Sequence, residues 1–367
     1  MSVHKDSRMT AAFIMKEIDK AADLGLSHVQ LDDGWQQGLS RNSAHKSGVK
    51  WEEWSREDWN PHDERFPNGF KALVDYAKSE NIRLGLWFNP SQNNSYAHWE
   101  RDADILIDYF RRFGISVFKI DGLSFYDKRS ETNIRKLLDK VFNATSGQVT
   151  FNMDVTANKR AGYHYLQEYG NLFLENRYTD WGNYYPYRTL RNVWLLSGYV
   201  PAERLQVEIL NINRNRDKYH ADDPLSPENT GWQQAFAVGS VGQPLFWMEL
   251  SGLGTDDLNI LQSGLEEYHR ILPELQGAIV LPIGEEPTGF TWSGFVWIKN
   301  NQPTHALIFK GLTTEDTHTF NLPGHIENVS YLSGAVPLAL DVMPGKDRIT
   351  VKLQGRQASV FLKLEQE

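Results

Sequence analysis

RDADILIDYFRRFGISVFKIDG, residues 101–122, contains one whole repeat of this chain. Its first part spaces apolar side chains as a helix does and stops at Gly114; residues 115–122, ISVFKIDG, are apolar almost throughout until they meet Lys119 and Asp121. A short apolar run behind a helix reads as a buried strand. The side-chain period of two sends Lys119 and Asp121 to the same side of it.

The same alternation recurs on both sides of this unit. TAAFIMKEIDKAADLG precedes SHVQLDDGW, FKALVDYAKSE precedes IRLGLWFNP, ETNIRKLLDKVFNA precedes QVTFNMD, ANKRAGYHYLQEYG precedes NLFLENR, and YPYRTLRNVWLLSG precedes RLQVEIL. A weaker round, GWQQAFAVG then QPLFWMEL, is followed by a closing helix in DDLNILQSGLEEYHRIL. Strands alternating with helices of this length predict parallel crossover units. The strands fall near 28–32, 82–87, 115–121, 148–154, 171–175, 205–210 and 243–248.

Polar residues end almost every strand, whereas an open doubly wound sheet gathers its ligand groups at one crevice behind a glycine-rich turn. No such turn follows the first strand. The expected fold is therefore an α/β chain with a (β/α)8 TIM-type barrel over residues 1–275 that lacks its first strand, that strand lying upstream in a longer parent protein or the barrel closing irregularly. After about residue 276 the character changes to short alternating strands between Gly, Pro and Asn turns, such as GFVWIKN, THALIFKG and ASVFLKLEQE. Residues 276–367 are expected to form a small antiparallel β-sandwich.

Composition narrows the function classes. A net charge of −9 without long charged blocks gives no reason to expect nucleic acid or an anionic membrane as partner. The absence of cysteine removes disulfides and thiolate chemistry. No apolar run reaches the length of a signal peptide or a membrane span, and compartment and oligomeric state stay open between a cytoplasmic protein and a fragment of a longer secreted one. Among twelve tryptophans, Trp35, Trp51, Trp54, Trp59, Trp87, Trp99 and Trp181 lie at strand ends or in loops, where they either fill a core or stack on sugar rings.

In a barrel, groups at the C-terminal strand ends converge on one mouth. Here they are Asp32 and Asp33, Trp87 and Asn89, Lys119 and Asp121, Asn152 and Asp154, Glu175, Arg177 and Asp180, and Glu208. The set is carboxylate, amide and cation, short of the histidines a catalytic zinc would use. Two carboxylates across such a mouth suit glycoside hydrolysis, one ionised and one holding a proton for the departing oxygen. Asp121 is the candidate for the first role and Asp180 for the second, with Arg177 beside it; a turn or a helix cap is the competing use of Asp180. Asp32 and Asp33 are adjacent and cannot face the same way, so one is expected to grip sugar hydroxyls while the other accepts local hydrogen bonds.

LDDGWQ, RFPNGFKALVDYAKSENIRLGLWFNP, GISVFKIDG and the region of Asp180 together resemble the clan of retaining α-galactosidases and their melibiase-like relatives. The resemblance extends over most of residues 10–275. It implies a catalytic nucleophile at Asp121, a substrate-contacting Lys119, a hydroxyl-binding pair at Asp32 and Asp33 with Trp35 beside them, and an acid/base at Asp180. Trp87, Asn89, Asn152, Asp154, Glu175 and Arg177 complete the expected substrate-binding set. The implied substrate is an oligosaccharide or other α-glycoside ending in a galactose-type sugar, and the implied cofactor and metal requirement is none. The chain departs from the clan at LENRYTD, which replaces the common S-D-x-T-D form, and at FNMDVTANKR, which carries no cysteine or glycine run. Rival readings are a glycan-binding module derived from such a barrel, and a barrel aldolase or isomerase using Lys119 as a Schiff-base amine.

Overall fold

The computed structural model describes residues 5–38, 54–155, 161–174 and 177–366. They belong to two compact units, residues 1–176 with 249–252, and residues 177–248 with 253–367. Seven parallel strands follow one another in chain order: β1 (His28–Leu31), β2 (Arg83–Phe88), β3 (Val117–Ile120), β4 (Thr150–Asp154) and β5 (Gly170–Leu174) in the first unit, and β6 (Leu205–Ile209) and β7 (Gln243–Phe246) in the second. This is the expected TIM-type order, with seven strands among the described residues where a closed barrel has eight.

In the first unit some of the helices that cover the sheet start or stop at caps the sequence provides. Helix α1 (Ala11–Asp23) begins behind Thr10, whose hydroxyl accepts from the Phe13 amide at 3.2 Å, and buries Ile14, Ile18 and Ala21. Helix α2 (Gly69–Ser79) buries Phe70, Leu73, Val74 and Ala77. Helix α3 (Trp99–Phe113) ends on Gly114 in the left-handed region, φ 71°, which costs glycine little. Helix α4 (Lys128–Ala144) is capped by Asp127, which accepts from the Ser130 amide at 2.7 Å.

Of the helix expected across 157–170, residues 157–160 lie outside the described residues. The described residues there form two separate turns, Ala161–His164 and Leu166–Tyr169. Gly162 lies so close over β4 that a Cβ would stand 2.9 Å from the Met153 and Val155 side chains, and Tyr165 is fully buried beneath the turns.

The second unit contains α5 (Pro186–Leu196), α6 (Trp232–Gly239) and α7 (Thr255–Leu275) together with the all-β region. A five-stranded antiparallel sheet has β8 (Ile279–Gly284), β9 (Trp292–Lys299), β10 (Gln302–Lys310), β12 (Asn328–Gly334) and β15 (Ala358–Glu365) in the order β12-β15-β10-β9-β8. Strands β11 (Thr317–Asn321), β13 (Ala339–Val342) and β14 (Arg348–Lys352) make a three-stranded sheet. The two pack through Val296, Ile308, Phe320, Ile349, Val351, Val360 and Leu362, the sandwich expected from period-two alternation. Strand β13 escaped that reading because its four residues lie between Pro337 and Pro344.

Candidate active site

Strand register aligns the polar positions of the first unit in rows. Trp87 of β2 pairs with Lys119 of β3, Lys119 with Asn152 of β4, and Asn152 with Asn171 of β5. Two residues further along each strand, period-two geometry brings Asn89, Asp121 and Asp154 to the next row on the same side.

Lys119 exposes 1% of its surface. Its ammonium lies 3.1 Å from Asp32, 3.9 Å from Asp154 and 4.4 Å from the centre of the Phe173 ring. Asp154 is fully buried, while the Asp32 side chain keeps 33% exposure. Burial pushes the Asp32 carboxyl above its ordinary value; Lys119 opposes the shift and the negative charge of Asp121 adds to it.

Asp121 is oriented through both oxygens. Trp87 Nε1 donates to Oδ2 at 3.0 Å, and the Gly122 amide donates to Oδ1 at 2.5 Å. The Asp121 amide donates to the Phe88 carbonyl at 2.9 Å, continuing the ladder past the strand end. With its amide nitrogen turned toward the chain, Asn89 donates to the Asp121 carbonyl at 3.2 Å, and Gln92 donates to the Gly122 carbonyl.

Gly122 is the tight point of this loop. Its φ is +72°, and a Cβ would stand about 2.5 Å from the terminal atoms of the Asn89 side-chain amide. Gly122→Ala is expected to cost roughly 1–3 kcal/mol from backbone strain and crowding. A lowered urea midpoint together with a displaced Asp121 in a crystal structure of the variant is the expected result.

LDDGW divides its two carboxylates. Asp32 faces Lys119, whereas Asp33 accepts from Gln36 Nε2 at 2.8 Å. The turn is held further by Gln36 accepting from the Gly34 amide at 3.0 Å, and by Arg65, which donates to the Gly34 carbonyl at 2.7 Å. Arg65, read from sequence only as part of RFPNG, is thus a structural clamp.

The loop tryptophans resolve mostly into core. Trp35, 1% exposed, donates its indole N–H to the Trp87 carbonyl at 3.0 Å, and its rings meet Phe70 and Tyr109 at 5.4 Å. Trp54 packs on Trp59 at 4.9 Å, and Trp59 on Phe88 at 4.1 Å and Trp87 at 5.9 Å. Trp35, Trp54 and Trp59 pack about the end of β2, and Trp35, buried among these rings, is not placed to stack on a sugar. Trp99 is half-buried and Trp181 is exposed; Trp51 lies outside the described residues. Asn152 is also interior, 2% exposed, donating to Gln30 at 3.1 Å.

Arg177, Asp180 and Glu208 lie in the second unit, and Glu175 lies outside the described residues. Asp180 sits in a single turn, Thr179–Trp181. That turn is fixed by Asn215, which donates to the Thr179 hydroxyl at 3.0 Å, and by Asn183, which accepts from the Tyr178 amide at 2.9 Å. Helix α5 begins behind Tyr185 with no side-chain cap, so Asp180 does not cap it. Glu208, 1% exposed on β6, accepts from the Arg177 amide at 3.2 Å and from the Thr189 hydroxyl at 3.4 Å. Arg177 also donates to Thr189 at 3.2 Å, so Glu208 and Thr189 orient the segment leading to Asp180. Among the described residues no group of three or more His, Cys, Asp or Glu has the arrangement of a metal site.

Residues 8–142 match the melibiase family model. α-Galactosidase Mel36A of Lactobacillus acidophilus is 36% identical over 73 residues, 20% of this chain and 9% of that protein. α-Galactosidase 3 of Arabidopsis thaliana is 33% identical over 107 residues, 28% of this chain and 21% of that one. The fold of a variant of the GH36 α-galactosidase AgaA from Geobacillus stearothermophilus, crystallised with 1-deoxygalactonojirimycin, superimposes on 97% of this chain with a TM-score of 0.71 at 14% identity. The α-galactosidase of Lactobacillus brevis covers 98% of it with a TM-score of 0.65 at 13% identity. The chain spans 54% and 53% of those two structures, about half their length. Residues 8–142 are thus similar in sequence to the melibiase family, and nearly the whole chain shares the fold of GH36 α-galactosidase structures.

Proposed function

We propose that the chain carries the catalytic apparatus of a retaining, exo-acting α-glycosidase that removes terminal galactose-type sugars by double displacement. Asp121 attacks the anomeric carbon while Asp180 protonates the leaving oxygen; Asp180 then takes a proton from water, which releases the sugar from Asp121. Such chemistry requires the two carboxyl groups about 5–5.5 Å apart. Residues 1–275 carry catalysis in this reading, and residues 276–367 form the accessory sandwich. The reaction needs neither metal nor organic cofactor.

The observation that carries the reading is the carboxylate of Asp121, fixed at a strand end by Trp87 and Gly122 beside the Lys119–Asp32 pair. Asp32 is the accessible acceptor for sugar hydroxyls. Lys119 is buried, so any hydroxyl it meets is met by its ammonium tip alone, between Asp32 and Asp154.

The experiment is turnover of nitrophenyl α-galactoside with proton NMR of the first-formed anomer, in the chain and in Asp180→Ala. The α-anomer should appear first in the unsubstituted chain. In Asp180→Ala, an activated nitrophenyl leaving group should lose far less rate than an unactivated disaccharide, by roughly 10²-fold or more. Equal losses on both substrates would remove Asp180 from the proton-donor role. Glycan binding without turnover of any α-glycoside would indicate a binding module instead.

A pH dependence follows from Asp32. Its raised pKa means that, as pH falls, it protonates earlier than an ordinary aspartate with its value of 3.8. KM is therefore expected to rise on the acid side above the ordinary aspartate range. An Asp32→Asn variant should show a high KM without that inflection.

A further inference from the structure

A cavity of about 500 Å³ opens on the first unit between the starts of α3 and α4, lined by Ala97, Trp99, Lys128, Arg129, Thr132, Asn133 and Lys136. Its volume is in the range of small-molecule sites. Arg129, Thr132, Asn133 and Lys136 form one stripe of α4 by their i, i+3, i+4, i+7 spacing, and Trp99 stands at the first position of α3.

The charge here runs against the rest of the molecule. Lys128 pairs with Glu131 and the charge of Arg129 acts on Asp127, while Lys136 makes no ion pair among the described residues. The nearby acids have other partners as well: Asp127 accepts from Ser130 and Ser95, and Glu100 and Asp104 pair with Lys140. Lys128 and Arg129 also occupy the first two positions of a seventeen-residue helix, where its dipole disfavours cations.

The other lining groups suit a sugar. The Lys136 ammonium lies 5.6 Å from the centre of the Trp99 ring, putting a cation and an aromatic surface within the span of one small ligand. Asn133 is anchored by donating to the Ser95 carbonyl at 2.9 Å, which leaves its side-chain oxygen as an acceptor on the cavity wall.

We propose that this cavity is a second binding site, apart from Asp121, for a monosaccharide-sized ligand bearing an anionic substituent. Arg129 and Lys136 bind the anion, and Trp99 with Asn133 and Thr132 meets the ring. The site does not depend on the glycosidase reading.

Glucose 6-phosphate is the probe, titrated by tryptophan fluorescence and calorimetry at low ionic strength, with glucose and inorganic phosphate as comparisons. Saturable binding that weakens with added salt is expected, with inorganic phosphate and glucose each bound about tenfold more weakly or worse. The Arg129→Gln, Lys136→Gln double variant changes two exposed side chains and should lose about tenfold or more in affinity with unchanged thermal unfolding. Trp99→Phe should lose most of the fluorescence response. Absence of saturation, equal affinity for inorganic phosphate alone, or unchanged affinity in the double variant would overturn the proposal.

Discussion

Asp121→Ala is expected to lower turnover of an α-galactoside by about a thousandfold or more while leaving the fold intact. The loss is large because a nucleophile is a bond partner in the transition state, and no neighbouring group replaces the bond it forms. The side chain is half-exposed at a strand end, so its removal empties little core. Added azide should restore part of the rate by entering the vacated space, and the product should be the β-galactosyl azide, because azide then attacks from the face Asp121 occupied. A variant retaining more than a tenth of the parent rate without azide would exclude covalent attack by Asp121.

Lys119→Met is expected to have the largest effect on stability. The substitution preserves much of the buried stem volume but strips the positive charge from between Asp32 and Asp154, the latter with no exposure at all. Removing one partner of a buried ion pair typically costs about 3–5 kcal/mol, and here the interior Asp154 loses the ammonium that faces it while Asp32 keeps part of its contact with water. Urea unfolding at neutral pH measures it. The deficit should shrink as pH falls and the stranded carboxylates take up protons, because a neutral acid is cheaper to bury than an ionised one. A deficit below 1 kcal/mol, unchanged with pH, would mean that Lys119 is not the counterion of this cluster.

The part of this site that sequence makes legible is the part governed by period two. ISVFKIDG and QVTFNMD are apolar runs interrupted at alternate positions, and the register that pairs Lys119 with Asn152 follows directly from two parallel strands ending together. The same rule separates Asp32 from Asp33, but it does not say which carboxylate faces Lys119; the turn clamped by Gln36 and Arg65 decides that. The tryptophans show the opposite limit. Trp54 and Trp59 read as loop residues, and a loop says nothing about burial when a single turn folds it back onto Trp87 and Phe88. The two short turns described at 161–169 have the same origin, because close approach at Gly162 is a tertiary fact with no local periodicity. Glu208 is recognisable in RLQVEIL as an acid on a strand, yet its role in orienting Arg177 depends on contacts with Thr189 from a separate helix.

The most direct test is to trap the covalent intermediate. Incubation with 5-fluoro-α-galactosyl fluoride, whose ring fluorine slows release of the sugar, followed by proteolysis and mass spectrometry, locates the carboxylate that bonds to the anomeric carbon. The label should fall on the peptide carrying FKIDG, at Asp121. A label on Asp32, Asp154 or Asp180, or hydrolysis that yields the β-anomer first with no label anywhere, would contradict it.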